Sequence, residues 1–323
     1  MVVVWRVTEQ CNLACRFCAY DRELQLPRRN ADIEHVRAFG QVLADFMTET
    51  GQQVLVSWHG GEPLLWGSLE SITMEFRRRH GIRVSTTTNG TPLASAAVRE
   101  HLVREYDELT ISVDALGAKH DRLRGWPGGF AELRRNVMQL SDEIRRSGSA
   151  LRLRANVVLM RDTIGEFGAL CRELAGWGLN ELTFNQLGGN DRPEFYPHNR
   201  LLPEQVGHLA AGLPGLRKEL AALGLKLCGS DGYLGRFHAT ASNQRIGVSA
   251  CDAAEHFLFI DECGLVAPCT FTVPDLGVPL EEISSSSALK KLAKIFSEKQ
   301  RQQAPTACSD CHSTQLFNKF CEG

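Results

Sequence analysis

Six short stretches of the chain read as strands: VVVWRV after Met1, VLVSWH (54–59), IRVSTTT (82–88), ELTISVD (108–114), LRLRANVVL (151–159) and ELTFNQL (181–187). In the last three the side chains alternate. Thr110, Ser112 and Asp114 interleave with Leu109, Ile111 and Val113, and Arg152, Arg154 and Asn156 with Leu151, Leu153 and Ala155; Thr183 and Asn185 interleave with Leu182 and Phe184. Helix-length segments at 32–49, 93–105, 128–147 and 163–177 separate the strands. Six strand-helix repeats predict an α/β fold with a parallel sheet and right-handed crossovers, and six strands rather than eight leave a barrel incompletely closed. Strands covered by helices in a parallel sheet are ordinarily apolar on both faces. One polar face per strand therefore predicts a cavity that takes polar ligands.

The last third has a different texture. FLFI and LVAP flank a turn at Asp261 to Gly264, which reads as a hairpin. SALKKLAKIFSEKQ (287–300) carries Leu289, Leu292, Ile295 and Phe296 at helical spacing. The expected organisation is a barrel over 1–200, a helical bridging region over 201–247 and a cysteine-rich domain over 248–323.

Composition narrows the class. A chain of 323 residues can bury a barrel-sized core and a smaller one. With 36 Lys and Arg against 38 Asp and Glu, and no basic stripe interleaved with aromatics, nothing points to nucleic acid. The opening MVVVWRV is too short and lacks the basic flank of a signal peptide, and no apolar run approaches the ~20 residues that span a bilayer. Eleven cysteines without a secretory signal predict a reducing cytoplasm, where thiolates serve metals rather than disulfides.

Cys11, Cys15 and Cys18 form C-x3-C-x2-C straight after the first strand. Three thiolates so spaced suit three corners of an iron-sulfur cluster and leave one iron without a protein ligand. A zinc knuckle would need a fourth ligand, and residues 19 to 30 contain no Cys or His. With Phe17 before the third cysteine, the motif resembles the signature of the radical S-adenosylmethionine (SAM) family. The resemblance implies that the open iron chelates the amino and carboxylate groups of SAM, whose reduction yields a 5'-deoxyadenosyl radical that abstracts hydrogen from a substrate. A partial (β/α)6 TIM-like barrel is the fold it implies.

HGGEPLL after the second strand is similar to the family's GGEP motif, which implies that Gly60, Gly61 and Glu62 hold the SAM amino group. The third and fourth strands end in TTTNG and SVDA, at the strand termini where barrel active sites collect. Thr88, Asn89, Ser112 and Asp114 are thus candidates for the ribose and methionine moieties, although Ala115 stands where related sequences often have Gly. Asn156, with Arg154 on the same face, either completes the SAM site or forms a buried hydrogen-bond network. HDRLRG (120–125) resembles a segment of the same branch, with Arg124 as a structural or loop-anchoring residue.

Cys251, Cys263, Cys269, Cys308, Cys311 and Cys321 crowd the last third. C-x12-G-x4-C followed by C-x2-C resembles the SPASM/twitch extension of radical SAM enzymes, in its shorter twitch form. This implies one auxiliary four-iron four-sulfur cluster on Cys251, Cys269, Cys308 and Cys311, with Cys321 an alternative ligand; four thiolates would equally suit zinc. The cofactors expected are SAM and two 4Fe-4S clusters, one binding SAM and one auxiliary. A reducing partner such as flavodoxin or ferredoxin is expected, and neither nucleic acid nor membrane.

An auxiliary cluster can accept an electron and give dehydrogenation, or support thiol-mediated epimerisation, for which Cys228 and Cys263 are candidate hydrogen donors. Cys171 reads as a buried helix residue. The cysteine motif begins at residue 11, ahead of which no peptide-recognition module fits, so a small-molecule substrate is expected. Asp191, Glu194, Tyr196 and His198 follow strand six at the expected mouth. The compact form resembles enzymes acting on aminocyclitols and aminosugars in antibiotic biosynthesis. The alternatives are a maturase of a ribosomal peptide or protein side chain, and a non-catalytic iron-sulfur or zinc-binding protein.

Overall fold

The structure, a computed structural model, describes residues 1–249, 251 and 253–321. The strands are β1 (Val2–Thr8), β2 (Leu55–Gly60), β3 (Arg83–Thr88), β4 (Glu108–Ser112), β5 (Arg152–Leu159), β6 (Glu181–Gln186), β7 (Lys226–Leu227), β8 (Phe257–Ile260), β9 (Leu265–Ala267) and β10 (Val278–Pro279). The helices are α1 (Ile33–Thr50), α2 (Leu69–Arg78), α3 (Ala96–Glu105), α4 (Gly117–Arg124), α5 (Gly129–Ser147), α6 (Phe167–Ala175), α7 (Tyr196–Asn199), α8 (Pro203–Ala222), α9 (Asp231–Ala241), α10 (Val273–Leu276) and α11 (Ser286–Gln302). Local chemistry starts and stops the longer ones. Asp32 caps α1 by accepting from the amides of Glu34 and His35, and Gly51 closes it in the left-handed region. Ser95, Ser230 and Ser285 cap α3, α9 and α11 in the same way.

All strands join one sheet in the order β10-β9-β8-β1-β2-β3-β4-β5-β6-β7. From β1 to β7 every neighbouring pair is parallel and consecutive in the chain, which is the partial barrel expected from the strand-helix alternation, extended by one short strand. The C-terminal hairpin forms as expected, with β8 antiparallel to β9. It does not build a separate sheet, because β8 pairs in parallel with β1 and prolongs the barrel from its free edge. Covering an edge strand in this way removes a row of unpaired backbone groups. Among the described residues no helix is long and apolar enough to cross a membrane.

The core lies between sheet and helices. Trp58 on β2 is fully buried, stacks near Trp5 of β1 and Phe76 of α2, and donates its indole N–H to Thr73 Oγ1 at 3.1 Å. Trp58→Ala empties this volume and is expected to cost about 3–5 kcal/mol. It should read as a lower urea midpoint at unchanged slope; an unmoved midpoint would refute the packing account.

Candidate active site

The loop after β1 carries Cys11 and Cys18, both half-buried, and the buried Cys15. Backbone and side chains around it leave the loop little freedom. The Cys18 amide donates to Cys15 O at 2.9 Å, Arg22 reaches Asn12 O at 3.0 Å, and Arg28 reaches Ala19 O and Asp21 O at 3.0 and 2.8 Å. The strongest anchor comes from the end of α4. Arg124 is buried, pairs with Asp114 at 2.5 Å, lies over the Phe17 ring at 5.5 Å, and points Nη1 at Cys15 Sγ from 3.9 Å. Its carbonyl accepts from the Ala14 amide at 3.2 Å, and Gly125 at φ +59 sits where a Cβ would lie 2.8 Å from that of Ala14. Burial pushes the thiols of Cys15 and Cys18 up to about 12 and about 11 respectively. The charges of Cys18 and Cys11 also raise Cys15, and that of Cys11 raises Cys18.

Gly60 and Gly61 press the end of β2 onto this loop. A Cβ at Gly60 would stand 2.0 Å from Thr8 O, and one at Gly61 would stand 2.2 Å from Gln10 O. Glu62 is fully buried and satisfied internally: it accepts from the amides of Leu64 and Asn89 at 3.2 and 2.6 Å and from Thr88 Oγ1 at 2.9 Å. Burial raises it to about 7 against those bonds. Its carboxylate therefore ties β2 to β3. Asn89 continues the chain of contacts, donating to Asn12 Oδ1 at 2.9 Å and approaching Cys11 Sγ at 3.7 Å.

Two candidate SAM contacts carry ion pairs within the protein. Asp114 is 1% exposed, accepts from the Val158 amide at 2.9 Å and faces Arg124, so its charge locks α4 to the sheet. Arg154 lies low in the barrel, bonded to Glu181 at 2.5 Å and to Glu108 at 3.2 Å, with Arg152 joining the same two carboxylates at 3.8 and 2.6 Å. This four-residue charge layer borders the barrel cavity, and it is the network expected as the alternative for Arg154. Ser112 ends β4 opposite Asn156 in the register.

The polar strand faces do surround a cavity, of about 700 Å³. Ser57, His59, Ser85, Thr87, Thr110, Asn156, Thr183 and Asn185 line it from β2 to β6. Neither candidate hydrogen donor is among its lining residues. Cys228 is buried at the end of β7, and Cys263 is exposed in the hairpin turn with Arg29 Nη1 at 3.1 Å. Cys171 is buried on α6 as expected. In the loop after β6, Arg192 pairs with Asp21 at 3.1 Å and Glu194 at 2.5 Å, docking that loop onto the cysteine loop.

Cys251, Cys269, Cys308 and Cys311 line one small pocket together with Phe271, Phe296 and His312. Burial, then Cys269, Cys311 and Cys251, push the Cys308 thiol up to about 11. The CSDC loop is anchored by buried Arg236 of α9, which pairs with Asp310, and by amide bonds from Val248 to Cys308 O and from Cys311 to Ile246 O, each 2.8 Å. Cys321 is exposed and lies outside the pocket lining. Among the described residues no three His, Cys, Asp or Glu side chains are placed to grip a single metal ion. Cys269, Phe271 and Ser313 line both this pocket and the barrel cavity, so the two spaces share a wall. The barrel also receives Lys319 and Phe320 from the chain end, which no sequence pattern had marked.

A profile described as the radical SAM superfamily matches residues 5–193. The AdoMet-dependent heme synthase of Nitratidesulfovibrio vulgaris is 24% identical over 51% of the chain, and the match spans 42% of that protein. The mycofactocin maturase MftC of Mycolicibacterium smegmatis is 24% identical over 96% of the chain and 74% of its own length. Among solved structures, Streptococcus suis SuiB bound to its precursor peptide SuiA superposes with a TM-score of 0.63 at 15% identity, covering 92% of this chain and 64% of SuiB.

Proposed function

The chain belongs to the radical SAM superfamily, and we propose that it modifies a peptide held in the barrel cavity, at a C–H bond beneath the three-thiol loop. The observation that carries this is the alignment with MftC, a maturase by name, which extends over 96% of the chain and so past the barrel into the cysteine-rich region. The haem synthase match spans about half the chain. The likeness to SuiB with a precursor peptide bound is one of fold, and it is consistent with this substrate class. An aminosugar or aminocyclitol substrate draws no support from these relatives. Neither do epimerase and dehydrogenase activities.

Cys11, Cys15 and Cys18 would hold a 4Fe-4S cluster: the donor set is three thiols on a loop fixed from several sides. When bound and reduced with SAM, that cluster supplies the 5'-deoxyadenosyl radical. The protein's own part is positional. Arg124 places a positive charge beside Cys15, Gly60 and Gly61 keep the end of β2 against the loop, and the polar cavity walls hold the substrate out of bulk water. The four-thiol pocket would hold the auxiliary cluster one wall away from the substrate, where Cys269 borders both spaces.

Anaerobically reconstituted protein with SAM, dithionite and candidate precursor peptides should release 5'-deoxyadenosine in step with a mass change on one peptide. Deuterium placed at the reacting carbon should appear in the deoxyadenosine. If deoxyadenosine forms but every peptide keeps its mass while an aminosugar is converted, the peptide assignment fails.

A further inference from the structure

Lys319 is 7% exposed, enters the barrel from the chain end and donates from Nζ to Asn156 Oδ1 at 2.8 Å. Asn156 Oδ1 also accepts from Thr183 Oγ1 at 3.0 Å. The groups facing the amine are His59 on β2, Arg154 on β5 and Cys228 after β7. His59 is held neutral, pushed down to about 4 by burial and by Lys319 itself. Arg154 already has Glu181 and Glu108. The other cations around the cavity are matched likewise: Arg6 pairs with Glu262, and Arg152 pairs with Glu108. Among the described residues Lys319 Nζ has no carboxylate within ion-pair distance; it meets the Asn156 amide oxygen and lies 5.2 Å from the centroid of the Phe320 ring.

A buried ammonium without a counter-ion is costly, and a Met of similar reach would fill the space without that penalty. The geometry points to Lys319 as the anchor for a carboxylate of the substrate, which would complete in the cavity an ion pair left open among the described residues. This rests on the barrel cavity being the substrate chamber. The volume of about 700 Å³ admits an amino-acid-sized acid. Lys319 borders it alongside Phe320, Ser313 and Gln315, from a tail that follows Cys311 directly, so a bound acid would also touch the segment leading from the four-thiol pocket.

Burial and then Arg154 push the free amine down to about 7, which leaves it reactive toward acylating reagents at pH 8. The test uses the reconstituted full chain with succinate as the probe and succinamide as its uncharged counterpart. Lys319 acetylation by a water-soluble N-hydroxysuccinimide ester is followed by peptide mass spectrometry. Succinate should slow acetylation of Lys319 about tenfold, as a rise from about 7 to about 9 would at pH 8, and succinamide should not. The rise in melting temperature on adding succinate should vanish in Lys319→Met and in Lys319→Gln. Equal protection by both probes, or by neither, overturns the assignment using the wild-type chain alone. Deoxyadenosine release is read separately, in the wild-type chain. Were the wild-type chain to release none, the radical reading would fail while the succinate result still decided Lys319.

Discussion

Cys15→Ser is expected to lose about four irons per chain and to release no 5'-deoxyadenosine above background, with the fold intact. Cys15 is the most buried of the three thiols and the one that Arg124 approaches. A serine hydroxyl is a poor ligand for iron where a thiolate is required. The hydrogen bonds that shape the loop come from the backbone of residues 12 to 22 and from Arg22, Arg28 and Arg124, none of which the change removes. Circular dichroism and the urea midpoint should thus move little while the iron falls. Cys171→Ser supplies the control, because that thiol is buried on α6 among apolar side chains and should leave the iron count alone. A Cys15→Ser protein that kept its iron and still released deoxyadenosine would remove the basis for assigning the loop.

The strands and the cavity were legible in the sequence for one physical reason. The phase of Thr110, Arg154, Asn156 and Thr183 against Leu109, Leu153, Ala155 and Leu182 is the phase of the pleat, and the polar set lines the cavity. The three-thiol loop and the four-thiol pocket were legible because ligand spacing is written locally. Other features depend on partners far away in the chain. The sequence does not show that α4 returns Arg124 to Asp114, or that Glu108 and Glu181 flank Arg154 from neighbouring strands. The helix α2 begins without a side-chain cap at Ser68, and β7 is two residues long, so neither announces itself. The docking of β8 on β1 joins segments about 250 residues apart through backbone bonds that carry no residue pattern. Lys319 is a single charge between Phe317 and Phe320, and only the fold shows that it points inward with no acid among the described residues to meet it.

The double change Cys308→Ala with Cys311→Ala should lower iron from about eight to about four per chain, and it should separate two activities. Deoxyadenosine release without peptide depends on the loop at residues 11 to 18, which follows β1 and, among the described residues, makes no backbone hydrogen bond to the CSDC loop. It should survive within a few-fold. Conversion of the peptide should be lost, because the four-thiol pocket shares Cys269, Phe271 and Ser313 with the cavity wall, the place from which an electron would leave a substrate radical. Loss of the pocket also frees the segment running from Cys311 to Lys319, so succinate protection of Lys319 should weaken in the same protein. Cys321→Ala makes the comparison specific: its thiol is exposed and outside the pocket, and its backbone carbonyl, which accepts from Gly229 at 2.8 Å, is untouched by the change. Iron near eight in Cys321→Ala and near four in the double variant would assign the second cluster to this pocket. Iron unchanged in the double variant would show that these thiols hold none.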